Sequence, residues 1–244
     1  MRPGGQAVNI YATADLHGNL PEPPQDADII LLAGDICPDF KAYGNRNEIL
    51  DTGGVRQSQW LDEEFREWLT PITDNGTRVF ACWGNHDFVG ESPYLVPELP
   101  WKLLNDRGAV ATLIDGGESL SIWGTPWVPG LPRWAFYASD AVLEMRAEII
   151  PANIDIIMSH GPPRMYGDLI PTRRSQYGRF GNGNVGDQSL IDAIVRVEPQ
   201  YVVCGHIHEA RGTYGMAEAM TVVANVSAVD ERYNLHDEPF TKLY

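Results

Sequence analysis

"RVFACWGNHD", residues 78–87, joins an apolar run, Val79-Phe80-Ala81-Cys82, to an amide, an imidazole and a carboxylate standing side by side. A short apolar run rich in branched and aromatic residues and closed by a Gly-Asn turn reads as a buried strand that releases polar residues into the loop beyond it. The pattern recurs along the chain. "VNIYATADLHG" (8–18) and "ADIILLAGD" (27–35) come before it, and "IDIIMSHGPP" (154–163) and "QYVVCGHIHE" (200–209) come after. Three further strand candidates, "AVATLID" (109–115), "SLSIWGT" (119–125) and "MTVVANVSA" (220–228), lack the terminal His.

Helical patterns lie between the strands. Ser58 is expected to cap "QWLDEEFREWLT", Ser139 to cap "DAVLEMRAEII" before Pro151, and Asp187 to cap "QSLIDAIVRV" before Pro199. A weaker helix is expected over 93–106. Residues 38–57 and 161–186 read as two long loops, and loops of that length inside a compact unit are usually functional. Strands alternating with helices over 244 residues, 43% of them apolar, predict a single α/β domain spanning 1–244.

Charge and cysteine usage narrow the function. A formal charge of −15 repels phosphate backbones, so non-specific nucleic-acid binding is not expected. Cys37, Cys82 and Cys204 form no even-numbered or C-x-x-C framework, which predicts buried thiols in a reducing compartment. With no signal-like N-terminus and no long apolar run, the expected setting is cytoplasmic, without a membrane.

Of the six histidines, His17, His86, His160, His206 and His208 fall at predicted strand ends, the edge at which open α/β sheets bind ligands. His236 reads as a surface residue. Asp15 and His17 are two apart and would share one side of an extended backbone. Asp35 offers two carboxylate oxygens, enough to bridge two ions, and Asn85 offers a carbonyl oxygen. With His160, His206 and His208 these make a set of N and O donors without thiolate, too many for one ion and suited to Mn, Fe, Zn or similar metals.

The ordered blocks "ADLHG", "AGD", "GNHD", "SHGPP" and "GHIH" resemble the calcineurin-like metallophosphoesterases. "WGTPWVP", "RWAFY", "MSHGPP" and "CGHIHEARG" are similar to the MPPED-like branch, related to class III cyclic nucleotide phosphodiesterases. The resemblance implies a four-layer α/β/β/α sandwich of two mixed sheets with a dinuclear metal site at the strand C-terminal ends. It implies that Asp15, His17, Asp35 and His208 hold one divalent ion and Asp35, Asn85, His160 and His206 a second, with Mn2+ favoured over Fe, Zn, Co or Ni. His86 would then protonate the leaving group, with Asp87 orienting it, as a hydroxide between the ions attacks a small phosphodiester. The implied substrates are cyclic nucleotides, 2′,3′ ahead of 3′,5′. A nuclease or phosphomonoesterase on the same site, and a non-catalytic metal-binding module, are the alternatives.

Other features rank lower. "GNGNVG" (181–186) matches a dinucleotide pattern but follows no buried strand. Trp123, Trp127, Trp134, Phe136 and Tyr137 can stack on a base, but burial in the core is the favoured reading. Arg164, Arg173, Arg174 and Arg179 form a basic island in the second long loop; Arg164, Arg173 and Arg174, with Trp127, are candidate substrate contacts.

Overall fold

Strands apolar in both phases of the period-2 repeat must be covered on both faces, and that requirement dictates the layering here. The computed structural model describes residues 8–40, 46–112, 119–171 and 183–243. Arg173, Arg174 and Arg179 lie outside them.

The first sheet has the order β15-β1-β2-β3-β4, from β1 (Ile10–Thr13), β2 (Ile29–Ala33), β3 (Arg78–Cys82), β4 (Lys102–Leu103) and β15 (Thr241–Lys242). β1 to β4 run parallel and β15 antiparallel. The second sheet has the order β13-β14-β12-β9-β6-β5. Its strands are β5 (Arg107–Thr112), β6 (Ser119–Thr125), β9 (Ile156–Ser159), β12 (Tyr201–Cys204), β13 (Gly212–Met216) and β14 (Thr221–Asn225). The central four are parallel and the two edges antiparallel. Two small ribbons complete the strands, β7 (Val128–Pro129) with β8 (Tyr137–Ala138), and β10 (Leu169–Ile170) with β11 (Gly183–Asn184).

β2 shows how the sequence writes the layers. Ile29, Leu31 and Ala33 face the second sheet, meeting Ile122, Ile156, Met158 and Val203. Ile30 and Leu32 face outward onto Trp60, Leu61, Phe65 and Leu69. The second sheet repeats the device: Ile157, Val202 and Val223 turn outward to Ala147, Leu190, Ile194 and Val197. Three apolar interfaces therefore separate four layers, as the sandwich reading requires.

The outer helices are α1 (Arg46–Trp60) and α2 (Arg66–Asp74), joined by a π turn at Leu61–Phe65, and α3 (Asp140–Glu148) and α4 (Gln188–Val197). Asp187 caps α4, its side chain accepting the Ser189 N–H at 2.8 Å. Ser139 precedes α3 but makes no side-chain cap bond. Two expectations fail in the first outer layer. Ser58 lies inside the helix and donates to Leu95 O instead of capping, because the helix already begins at Arg46, within the stretch read as loop. The helix expected over 93–106 is replaced by 3-10 turns at Phe88–Glu91 and Pro93–Leu95 and by β4; Pro93, Pro97 and Pro100 each remove a helical N–H.

Leu31, fully buried between the sheets, is a direct test of this layering. Leu31→Ala is expected to lose roughly 2–5 kcal/mol in denaturant unfolding. Val110→Ala, on the exposed face of edge strand β5, is expected to stay within about 0.5 kcal/mol.

Candidate metal centre

Parallel strands end at one edge, so the loops after β1, β2, β3, β9 and β12 are neighbours although they span the chain. The two sheets join there: the Ala14 N–H donates to Val226 O at 3.1 Å and the Ala228 N–H to Ala14 O at 2.7 Å. Asp15 (φ 54°), His17 (φ 44°), Asp35 (φ 50°) and His206 (φ 68°) all adopt left-handed backbone. Asp15 and His17 therefore converge through a tight turn rather than along the extended strand expected for them. The Asp15 N–H bonds to Gly34 O at 3.0 Å and the His17 N–H to Asp35 O at 2.9 Å. Such conformations persist only where surroundings over-determine them, and they cluster at functional sites.

Two donor clusters result. Asp15, His17 and His208 form one, and Asp35, His160 and His206 the other, each with donor atoms within 4.8 Å of one another. Asn85 joins the second, its Oδ1 3.0 Å from His160 Nε2. All seven donors expected from the strand ends are thus brought together.

Asp35 stands at the centre. Its Oδ1 accepts the His86 N–H at 2.7 Å, leaving Oδ2 to face the rings: His160 Nε2 at 3.2 Å, His17 Nε2 at 3.9 Å and His86 Nε2 at 3.9 Å. Only Oδ2 would therefore be left to meet a cation among these rings. Asp15 is held on both oxygens by the His206 N–H at 3.0 Å; its Oδ2 also accepts the Ser227 hydroxyl at 2.5 Å, and Oδ1 lies 3.7 Å from His208 Nε2.

The donors suit a cation. His160 Nδ1 lies 3.0 Å from Ala33 O and His208 Nδ1 lies 3.1 Å from Asp230 O, so in each ring the N–H points at a carbonyl and Nε2 points inward. His160 Nε2 then meets the Asn85 and Asp35 oxygens, acceptor against acceptors, unless a cation or proton intervenes. Both ring nitrogens of His17 are buried without a hydrogen-bond partner. Donors bonded at about 2.0–2.2 Å to one ion lie roughly 3–3.5 Å apart; the 3.0 Å and 3.2 Å spacings at His160 Nε2 meet this, while His17–Asp35 at 3.9 Å and His208–Asp15 at 3.7 Å are wider.

Glycines make the convergence possible. A Cβ on Gly84 would collide with the Asp35 carboxylate and backbone N, and one on Gly205 with the Asp15 carboxylate.

Without an ion the titrations divide. Burial holds His17 down to about 4 and His206 to about 3, so both are neutral and can donate a lone pair. Burial also opposes charging of His160 and His208, but Asp35 in the first case and Asp15 in the second outweigh it and raise each to about 9. Burial likewise favours neutral Asp15 and Asp35, yet His208 and His160 hold the Asp15 carboxyl, and His160, His86 and His17 the Asp35 carboxyl, below the ordinary range.

His86 lies beside these clusters, with a partner the sequence did not suggest. Its Nδ1 is 2.5 Å from Asp39 Oδ1, and Asp39 with His17 and His86 forms a third group of close donors. Burial disfavours the charged His86 ring, but Asp35 and the Asp39 hydrogen bond raise its pKa above the usual value.

Asp87 does not orient His86. Its carboxylate accepts backbone N–H groups from Gly84 (2.8 Å), Cys37 (2.8 Å) and Ile36 (3.2 Å), which ties the "GNHD" loop to the loop carrying Asp35. Burial and nearby Asp35 nevertheless raise Asp87 to about 6. His86 and Asp87 stand in a tight turn, where consecutive side chains point apart.

Sequence reasoning also missed Gln57 of α1. Its amide donates to His86 O at 2.7 Å and accepts the Val89 N–H at 3.0 Å, clamping the loop from the helix layer. Ser227 carried a usable signal, a polar residue just past the apolar run of β14. Asp39 and Gln57, inside the stretch read as loop, carried none.

The substrate-contact candidates fare differently. Trp127 donates to Asp106 Oδ2 at 2.7 Å and lies under the Arg146 guanidinium at 4.7 Å, so it packs rather than lining the cluster. Arg164 is exposed, its backbone N–H bonded to Asp187 O, and no contact among the described residues brings it to the donors. Trp123 and Phe136 are buried in the core, as favoured. Trp134 is not: half-buried, it lies over His86 with ring centroids 4.1 Å apart.

Comparison with known proteins follows the same residues. A family model described as calcineurin-like phosphoesterase matches residues 7–210. The human and mouse proteins named Metallophosphoesterase domain-containing protein 1 are each 33% identical over 87% of this chain, which spans 63% of their length. A protein named probable rhamnogalacturonate lyase C from Emericella nidulans is 27% identical over 85% of the chain, covering 17% of that protein. A solved crystal structure superposes with a TM-score of 0.61 over 90% of both chains at 14% identity, a likeness of fold alone. With the family match running from before β1 to the end of the "GHIH" block, the chain belongs to the calcineurin-like phosphoesterase family.

Proposed function

We propose that the protein is a metal-dependent phosphodiesterase acting on small phosphodiesters, cyclic nucleotides among them, with 2′,3′ esters preferred to 3′,5′. The reading rests above all on Asp35 Oδ2, a buried carboxylate oxygen facing three imidazoles between two donor clusters. In this reading Asp15, His17, Asp35 and His208 hold one ion, and Asp35, Asn85, His160 and His206 the other. Mn2+ is the preferred metal, with Fe, Zn, Co and Ni acceptable to the same donors. Two such ions supply water activation near neutral pH and neutralise charge on the phosphoryl oxygens.

The chain's own residues supply the rest. Asp39 holds His86 by Nδ1 and, with Asp35, favours its protonated form, so Nε2–H is available to a departing oxygen. Gln57 and Asp87 fix the loop on which His86 stands. A net charge of −15 disfavours polyanionic substrates and supports small ones. Three buried thiols with no disulfide support a cytoplasmic setting, and among the described residues no helix is long and apolar enough to cross a membrane.

A substrate panel after metal reconstitution, comparing a bis-aryl phosphate, an aryl monophosphate, both kinds of cyclic nucleotide and short single-stranded DNA, is expected to favour the diesters. Faster hydrolysis of the monoester or of DNA would overturn the substrate class. Chelation is expected to abolish turnover.

Metal uptake should also release protons. His160 and His208, raised to about 9 in the ion-free protein, carry protons at neutral pH that an ion must displace. Apparent metal affinity is therefore expected to rise with pH towards about 9, and the calorimetric binding enthalpy to depend on the buffer's own ionisation enthalpy.

His86→Ala should retain both ions yet lose about 10²–10⁴-fold in kcat for esters with alkoxide leaving groups. Its loss should be much smaller for p-nitrophenyl esters, whose leaving group departs without protonation. Equal losses for both ester types would remove His86 from the acid role.

A further inference from the structure

The ring chain at the candidate metal centre does not stop at the histidines. Trp134 lies over His86 at 4.1 Å, His86 is 4.7 Å from His17, and Tyr233 stands edge-on to His17 at 4.8 Å and to His208 at 5.2 Å. Two aromatic residues from different loops therefore flank the donor clusters.

Tyr233 is the less expected of the two. It is 48% exposed, yet its backbone is left-handed at φ 65°, a conformation uncommon for a bulky side chain. The surrounding loop enforces it. The Asp230 carboxylate accepts the Arg232 N–H (2.7 Å), the Asn234 N–H (2.9 Å) and the Asn234 amide (3.0 Å). The Asp230 N–H bonds to Asn234 O at 2.9 Å, and Val229 bridges Leu235. One carbonyl, Asp230 O, accepts both the Tyr233 N–H at 2.9 Å and His208 Nδ1 at 3.1 Å, so the tyrosine and a proposed ligand are indexed to the same atom. A turn that needed only left-handed backbone would be better served by Gly or Asn, and a ring seeking burial would not stand half in solvent.

Trp134 is fixed in the same manner at the other end. The next residue, Ala135, donates its N–H to Asn85 O at 3.1 Å, and Phe88 backs the indole at 6.0 Å and 25°.

We propose that Tyr233 is a specificity-determining residue whose ring packs on a planar aryl group carried by the retained ester oxygen of an acyclic phosphodiester, on the side away from the leaving group. This rests on the phosphodiesterase reading, in which the departing oxygen lies beside His86 and hence beside Trp134. The retained substituent is left to the opposite end, where Tyr233 covers His17 and His208. Ring-on-ring packing of this kind is sequence-tolerant and discriminates planar groups from alkyl ones.

The test uses metal-loaded protein and two diesters sharing one leaving group, p-nitrophenyl phenyl phosphate and p-nitrophenyl methyl phosphate. Tyr233→Leu is expected to reduce the phenyl-over-methyl preference in kcat/KM by roughly 5- to 100-fold, the methyl ester staying within about threefold of wild type. Tyr233→Phe should keep the preference. Equal loss on both esters would overturn the proposal by making Tyr233 a support for the histidines, and no change on either would overturn it by removing the ring from the substrate. Competition between phenyl phosphate and methyl phosphate for the loaded protein, followed by calorimetry, reads the same preference without turnover. Absence of hydrolysis by wild type would defeat the phosphodiesterase reading alone. A phenyl preference in binding that Tyr233→Leu removes would still support the aromatic wall, and a preference unchanged in that variant would overturn it.

Discussion

One buried carboxylate oxygen, Asp35 Oδ2, sets the terms for the rest of the structure. Taking an ionised carboxylate out of water costs several kcal/mol unless positive charge or hydrogen-bond donors meet it. The fold answers with the His86 N–H on Oδ1 and with rings from three separate loops around Oδ2. To bring those rings so close, the backbone turns left-handed at Asp35 itself, and Gly84 gives the carboxylate the space a side chain would take. Buried charge is thus gathered at one edge, while the apolar interface behind it holds the sheets together.

The histidines divide by the company each keeps. His160 and His208 are oriented by carbonyls and charged by carboxylates; His17 and His206 are neutralised by burial. Four imidazoles of one residue type therefore enter the site in two protonation states, although the sequence writes them identically. A proton on His160 does what a cation between the same atoms would do: it stands between acceptors that would otherwise repel.

What the sequence made legible was whatever repeats locally. β2 declared its two-sided burial in five consecutive apolar residues, and each donor followed such a run, so strand ends and ligands could be read together. The first outer helix was hidden because Gly53-Gly54 and a polar stretch weaken its pattern, and only docking against the turn after His86 makes it worthwhile. Asp39 and Gln57 were invisible for another reason. Their meaning lies in distances to His86 across 47 and 29 positions of chain, which no spacing rule reaches. The role first given to Asp87 failed by trusting adjacency in the chain over adjacency in space.

The join between the sheets has a mechanical consequence. Ala14 and Ser227 bridge the first sheet to the second beside the donors through backbone, while at the strands' far ends side chains make the crossing: Arg78 donates to Thr112 O and the Tyr201 hydroxyl to Leu243 O, each at 2.7 Å. The backbone join thus lies beside the donor atoms, and the far edge depends on which side chains stand there. Substitution at that far edge can change how firmly the sheets close without changing where the donor atoms meet.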